Sequence, residues 1–198
     1  MKIGIFGGTF DPPHAAHLEM AHAARATLGL DEIIFVPAYQ NPLKVKARNG
    51  ASPRHRFRMV QALIQGEEGL SVSDIEITRS GLSFTVETLE EMQKMIPGEY
   101  WLIMGSDSLD SIYNWKQPDR IASLCRIAVI LRPPHTQDDA LRHVPDYVVP
   151  VIDWIDMTPS KTSSTTLRTT IQLEERSREQ VPTAVLNYIA EHKLYPLH

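Results

Sequence analysis

Short runs of β-branched and apolar residues alternate along this chain with longer segments in which apolar residues recur every three to four positions. Parallel strands need crossovers of a dozen or more residues, usually helices, so this rhythm points to a parallel sheet covered by helices. The expected strands are Lys2–Phe6, Glu32–Pro37, Leu70–Ile77, Tyr100–Met104, Arg126–Leu131 and Tyr147–Ile152. Helical patterns cover His14–Leu28, Pro53–Gln65, Thr85–Met95, Pro118–Leu124, Ser164–Glu175 and Pro182–His192. Right-handed crossovers would distribute these helices over both faces. The expectation is therefore a single-domain α/β fold, a doubly wound, mostly parallel, Rossmann-like sheet with its ligand crevice at the carboxyl ends of the strands. A nucleotide-binding core is expected over about 1–160, followed by a C-terminal helical part over about 161–198. Ala38–Ser52 and Pro133–Pro145 read as loops.

Composition narrows the function classes. A chain of 198 residues, 42% hydrophobic and 22% charged, fits one ordinary globular domain. Its net charge of -4, from 20 basic and 24 acidic residues, argues against nucleic acid as a partner. The densest basic cluster, Arg54, His55, Arg56 and Arg58, suits an anionic small molecule or a solvated helix face. The single cysteine, Cys125, excludes an intrachain disulfide and a multi-cysteine zinc site; it is expected in the core of a protein from a reducing compartment. The apolar run in MKIGIFGG is too short for a signal peptide or a membrane span, so the expected setting is cytoplasmic, without a membrane partner. Nothing in these features specifies an oligomeric state.

Chemistry concentrates in KIGIFGGTFDPPHAAH, residues 2 to 17. A strand runs into Gly7-Gly8, where missing side chains let a ligand approach the backbone. Asp11 is positioned to cap a helix whose first positions are Pro12 and Pro13. The first turn then carries His14 and His17 on one face, at a helix terminus whose free amides attract phosphate. Three other readings stand beside this one: a metal-binding histidine pair, an ordinary surface pair, and a dinucleotide-binding turn. The first lacks the zinc-protease glutamate and any thiolate; the last lacks the G-x-G-x-x-G spacing and has Pro37-Ala38 where a ribose-binding acid should stand. A second stretch, TPSKTSSTTLR at 158 to 168, is a hydroxyl-rich helix entry. There Ser163, Ser164 and Thr165 offer caps and donors, and Arg168 a phosphate-gripping fork.

GGTFDPPHAAH resembles the G-G-[ST]-F-D-P-x-H-x-G-H signature of the HxGH nucleotidyltransferase superfamily, and TSSTTLR resembles its I-S-S-T-x-I-R motif. More specifically, the chain is similar to the bacterial nicotinate-nucleotide adenylyltransferases. The likeness extends through PAYQNPLK (37–44), ASPRHRFRM (51–59), EITRSGLSFTVETL (76–89), MGSDSLDSIYNW (104–115) and VPTAVLNYI (181–189), in order along nearly the whole chain. Departures are Ala16 for the glycine between the histidines, Thr162 and Leu167 for isoleucines, and Phe84 for tyrosine.

The resemblance implies transfer of the adenylyl group of ATP to nicotinate mononucleotide, with pyrophosphate released in NAD synthesis. Catalytic roles would fall to His14, His17 and Arg168. ATP would be held by Gly7, Gly8, Thr9, Phe10, Lys44, Gly105, Asp107, Ser163, Ser164 and Thr165, with Asp107 on a ribose hydroxyl. Trp115 would stack on the pyridine ring and Thr85 would receive the nicotinate carboxylate. Mg²⁺ would accompany ATP on phosphate oxygens and water, with no metal-binding residues of the chain's own. Arg56 and Arg79 are expected to brace loops through ion pairs. The competing functions are the same transfer to another acceptor, such as nicotinamide mononucleotide, and a nucleotide-binding regulator without turnover.

Overall fold

The computed structural model describes residues 1–44, 50–131, 136–157, 164–171 and 178–196, with Lys44 described by its backbone alone. Six strands, β1 (Lys2–Gly8), β2 (Glu32–Pro37), β3 (Leu70–Val72), β4 (Glu99–Gly105), β5 (Arg126–Ile130) and β6 (Ile152–Ile155), form one sheet in the order β3-β2-β1-β4-β5-β6. All five neighbouring pairs are parallel. This is the Rossmann strand order. From β1 the chain builds outward to β3, then crosses back to β4 on the other side of β1. The connections leaving β1 and β4 therefore diverge, and a crevice opens at the carboxyl ends of that pair.

The helices bounded within the described residues are α1 (Ala15–Leu28), α2 (Pro53–Leu63), α3 (Ile75–Arg79), α4 (Thr85–Met95), α5 (Ser106–Leu109), α6 (Pro118–Leu124), α7 (Gln137–Leu141), α8 (Ser164–Thr170) and α9 (Thr183–Glu191). Alternate strand residues feed two separate cores. Phe6, Phe35, Trp101 and Ile103 pack with Met20 and Ala24 of α1, Met59 and Val60 of α2, and Val185 and Ile189 of α9. On the opposite face Ile5, Leu102 and Met104 pack with Val86, Leu89 and Met92 of α4 and Ile121 of α6. A sheet covered on both faces explains why its central strands read as continuous apolar runs rather than alternating ones. Burying each such side chain contributes roughly 1.5–3 kcal/mol.

Local chemistry sets the element ends. Gly29, at φ 62°, closes α1 and donates its amide to the Arg25 carbonyl. The Ser52 hydroxyl accepts the His55 N–H at 3.3 Å and caps α2, with Pro53 at its first position. Helices α4 and α6 match their expected bounds, and Cys125 is a core residue whose thiol burial pushes up to about 12.

Three expectations need correction. The strand expected over Leu70–Ile77 ends at Val72, because the Ser73 hydroxyl accepts the Ile75 N–H and turns the chain into α3. The last strand is Ile152–Ile155 rather than Tyr147–Ile152: Pro150 has no amide for a ladder, and Val149–Val151 forms a 3-10 turn. Within the expected loop Pro133–Pro145, Thr136 accepts the Asp139 N–H at 3.2 Å and starts α7. The helix expected over Ser164–Glu175 is seen as far as Thr170, and residues 172–177 lie outside those described.

Candidate active site

A cavity of about 710 Å³ occupies the crevice above β1 and β4. Gly7 and Gly8 enter it from β1, and Gly105 and Asp107 from the end of β4 and the start of α5. A side chain on Gly7 would meet nothing within 4 Å, so this strand end is open to a ligand. At Gly8 the space is used by the protein itself, since an added Cβ would lie 2.9 Å from the Phe10 ring. Phe10 holds a left-handed φ of 51°, which costs a non-glycine residue about 1 kcal/mol. Burial of its ring against Phe6 and Phe35, edge-on to His17 at 5.0 Å, offsets that cost.

Helix α1 begins one residue later than expected. His14 is its N-cap, and the His14 N–H donates to Nδ1 of His17 at 3.2 Å. An acceptor at Nδ1 puts the ring proton of a neutral His17 on Nε2, where it serves as a donor. The two imidazoles face each other with centroids 3.8 Å apart, and both line the cavity. Asp11 does not cap the helix. Its Oδ1 accepts the Ala51 N–H at 2.9 Å and the Tyr195 hydroxyl at 2.6 Å, so the carboxylate is held away from the α1 amides.

The second motif meets the first directly. Ser164 Oγ donates to the Pro12 carbonyl at 2.9 Å, and Arg168 Nη1 donates to the Asp11 carbonyl at 2.8 Å, across 152 and 157 residues of sequence. Leu167, buried between them, anchors α8 to the core, while Thr165 and Arg168 line the cavity. Ser163 and the side chain of Lys44 lie outside the described part of the chain.

Thr85 and Trp115 line the same cavity. Thr85 is the first residue of α4, where backbone amides lack intrahelical acceptors. Trp115 is half-buried; among the described residues neither its Nε1–H nor the buried Thr9 hydroxyl has a hydrogen-bond partner. Arg79 pairs with Glu91 at 3.1 Å and donates to Thr88 at 2.9 Å, the bracing role expected of it.

Arg56 braces the site, but through carbonyls rather than ion pairs. Its guanidinium donates to the carbonyls of Thr9 at 2.7 Å, Tyr39 at 3.0 Å and Ala51 at 3.2 Å, joining the segments after β1 and β2 to the start of α2. Burial lowers its pKa, opposed by the neighbouring Asp11 charge. Arg54 and Arg58, by contrast, are exposed on the solvent face. Sequence reasoning missed Tyr195 altogether, because a tyrosine in LYP after the last helix carries no motif.

An open Rossmann sheet with two histidines at the first helix entry, met by a hydroxyl-and-arginine helix from the far end of the chain, defines the cytidylyltransferase-like class of nucleotidyltransferases. The family model of that description matches residues 5–170. Two curated bacterial relatives named probable nicotinate-nucleotide adenylyltransferase, from Herpetosiphon aurantiacus and Bacillus pumilus, are 37% and 36% identical, each over 98% of this chain and 98% of the relative. The chain belongs to the nicotinate-nucleotide adenylyltransferase family, and it is a nucleotidyltransferase. Its fold is shared by the nicotinic acid mononucleotide adenylyltransferase of Plasmodium falciparum, solved with NaAD, at a TM-score of 0.80 and 21% identity over 100% of this chain and 98% of that one. Among the described residues no helix is long and apolar enough to cross a membrane.

Proposed function

We propose that the protein transfers the adenylyl group of ATP to nicotinate mononucleotide, forming nicotinate adenine dinucleotide and pyrophosphate in NAD biosynthesis. The observation that carries this reading is the meeting of His14, His17, Thr165, Arg168, Thr85 and Trp115 in one cavity of about 710 Å³, within the size range of small-molecule sites.

A phosphate oxygen of nicotinate mononucleotide forms a bond to the α-phosphorus while the bond to the bridging oxygen breaks and pyrophosphate leaves in line. The nucleophile is ionised at neutral pH, so catalysis rests on positioning and charge stabilisation rather than a general base. His14 and His17 donate to phosphate oxygens, with His17 acting through Nε2–H on the developing charge. Arg168, the hydroxyls of Ser163 and Thr165 and the backbone amide of Ser164 hold the β- and γ-phosphates, with the Ser164 hydroxyl fixing the start of α8 on the Pro12 carbonyl and Lys44 adding positive charge. Gly7, Gly8, Thr9 and Phe10 shape the phosphate loop, and Asp107 beside Gly105 takes a ribose hydroxyl. Trp115 stacks on the pyridine and the Thr85 amide receives the carboxylate. Among the described residues no three His, Cys, Asp or Glu side chains gather as a metal cage. With ATP bound, Mg²⁺ would be held by phosphate oxygens and water and would supply charge neutralisation there. The lone buried thiol and the soluble substrates support a cytoplasmic setting.

Pyrophosphate release from ATP tests the reading, with nicotinate mononucleotide, its amide, or no acceptor present. Release should depend on the acid. A preference for the amide would overturn the substrate assignment, and ATP binding without turnover would leave a regulator instead of an enzyme.

A further inference from the structure

We propose that Tyr195 is a positioning residue of the phosphate site: its hydroxyl holds the Asp11 carboxylate off Arg168 and keeps that guanidinium available to ATP. The inference rests on the phosphate-binding role given to Arg168 above.

Asp11 stands between two kinds of partner. Its Oδ1 is held by the Tyr195 hydroxyl at 2.6 Å and the Ala51 N–H at 2.9 Å, while Oδ2 lies 4.0 Å from Nη1 of Arg168, at the outer limit of an ion pair. Arg168 Nη1 meanwhile donates to the Asp11 backbone carbonyl at 2.8 Å. A small rotation of the carboxylate would bring Oδ2 onto the guanidinium. A carboxylate that closed on Arg168 would fill the fork geometry that phosphate oxygens also use, and would cancel its charge. The partly buried setting strengthens that competition: the side chains of Arg168 and Asp11 are 26% and 10% exposed. Two bonds to Oδ1 oppose the rotation, and one of them is Tyr195.

Tyr195 is built to give that bond permanently. The ring is buried, and burial with the adjacent Asp11 charge pushes the phenol upward, so it stays a donor. The residue reaches the site from the far end of the chain, after α9, whose Val185 and Ile189 lie in the core. The same C-terminal segment also supplies the Gln180 carbonyl that accepts the Ala15 N–H at the start of α1, at 3.0 Å. The C-terminal segment thus holds both the phosphate loop and the helix that follows it.

Calorimetric titration with ATP, without acceptor, tests this in the full chain for wild type, Tyr195→Phe, Asp11→Asn and the double variant, with thermal melts run alongside. Tyr195→Phe should weaken ATP binding about tenfold, the scale of one hydrogen bond to a charged group. Adding Asp11→Asn should restore affinity to within about threefold of wild type, because the competing charge is gone. Loss of packing alone could not be repaired that way. Wild-type affinity in Tyr195→Phe, or no restoration in the double variant, would overturn the proposal. Should Tyr195→Phe fail to fold, Asp11→Asn alone decides: it should bind ATP at least as tightly as wild type, and a tenfold loss would refute competition. A wild-type protein that binds no ATP would instead remove the functional reading itself.

Discussion

Arg56 is the side chain whose removal tests most directly how the loops around the cavity are held. The residue is 4% exposed, and its guanidinium makes three hydrogen bonds to carbonyls from three different segments, at 2.7, 3.0 and 3.2 Å. A hydrogen bond with a charged partner contributes about 1.5–3 kcal/mol, so three would sum to roughly 4.5–9 kcal/mol if they were independent. Two effects reduce that figure. Burial disfavours the charged guanidinium, a cost that disappears with the side chain. Arg56 also lines the cavity, so water can reach some of the vacated carbonyls. Arg56→Ala should therefore lose about 3 kcal/mol, lowering Tm by about 6–12 °C in a chain of this length. Urea denaturation would show it as a lower midpoint at unchanged slope. Arg56→Lys should fall in between, since it keeps the charge without the fork. A loss below about 1 kcal/mol in Arg56→Ala would refute the reasoning, because the three carbonyls would then have adequate partners elsewhere.

Two further outcomes follow from the site and from the sheet edge. His17→Ala should keep much of its substrate affinity and lose about 2.7–4 kcal/mol of transition-state stabilisation, on the order of a hundredfold to a thousandfold in kcat; steady-state kinetics with near-normal kcat would remove the role given to its Nε2–H. At the opposite end of the sheet, Asp153 accepts from Arg126 at 2.6 and 2.7 Å and from the Trp101 indole at 2.8 Å, and the hydrogen bonds from Arg126 first of all lower its pKa. A depressed carboxyl pKa adds stability that is present above the unfolded value near 4 and is lost as pH falls through the folded one. Arg126 is 43% exposed, so solvent screening limits the contribution to about 1 kcal/mol. Asp153→Asn should be less stable than wild type at pH 7, with the gap narrowing in acid; a gap that stayed constant down to pH 2 would count against the ion pair.

Sequence periodicity and the two phosphate motifs together determined most of the architecture and most of the residues around the cavity. Alternation of apolar runs with helical segments was enough for a parallel sheet, because each strand had to be buried on both faces and each crossover needed a helix. Prolines, caps and glycines placed α2, α4 and α6 within a residue or two. The local rules failed where a distant residue competed for the same group. Asp11 has the chemistry of a helix cap, yet its carboxylate goes to Ala51 and Tyr195, so the cap falls to His14. Arg56 reads from sequence as a loop brace acting through ion pairs, and only the closing of three segments around it gives it backbone carbonyls as partners instead. What tertiary structure alone decided is the contact of residues 152 and 157 positions apart, Ser164 on Pro12 and Arg168 on Asp11. No local preference encodes those contacts; they exist because strand order brings the end of β1 and the helix after β6 to the same side of one sheet.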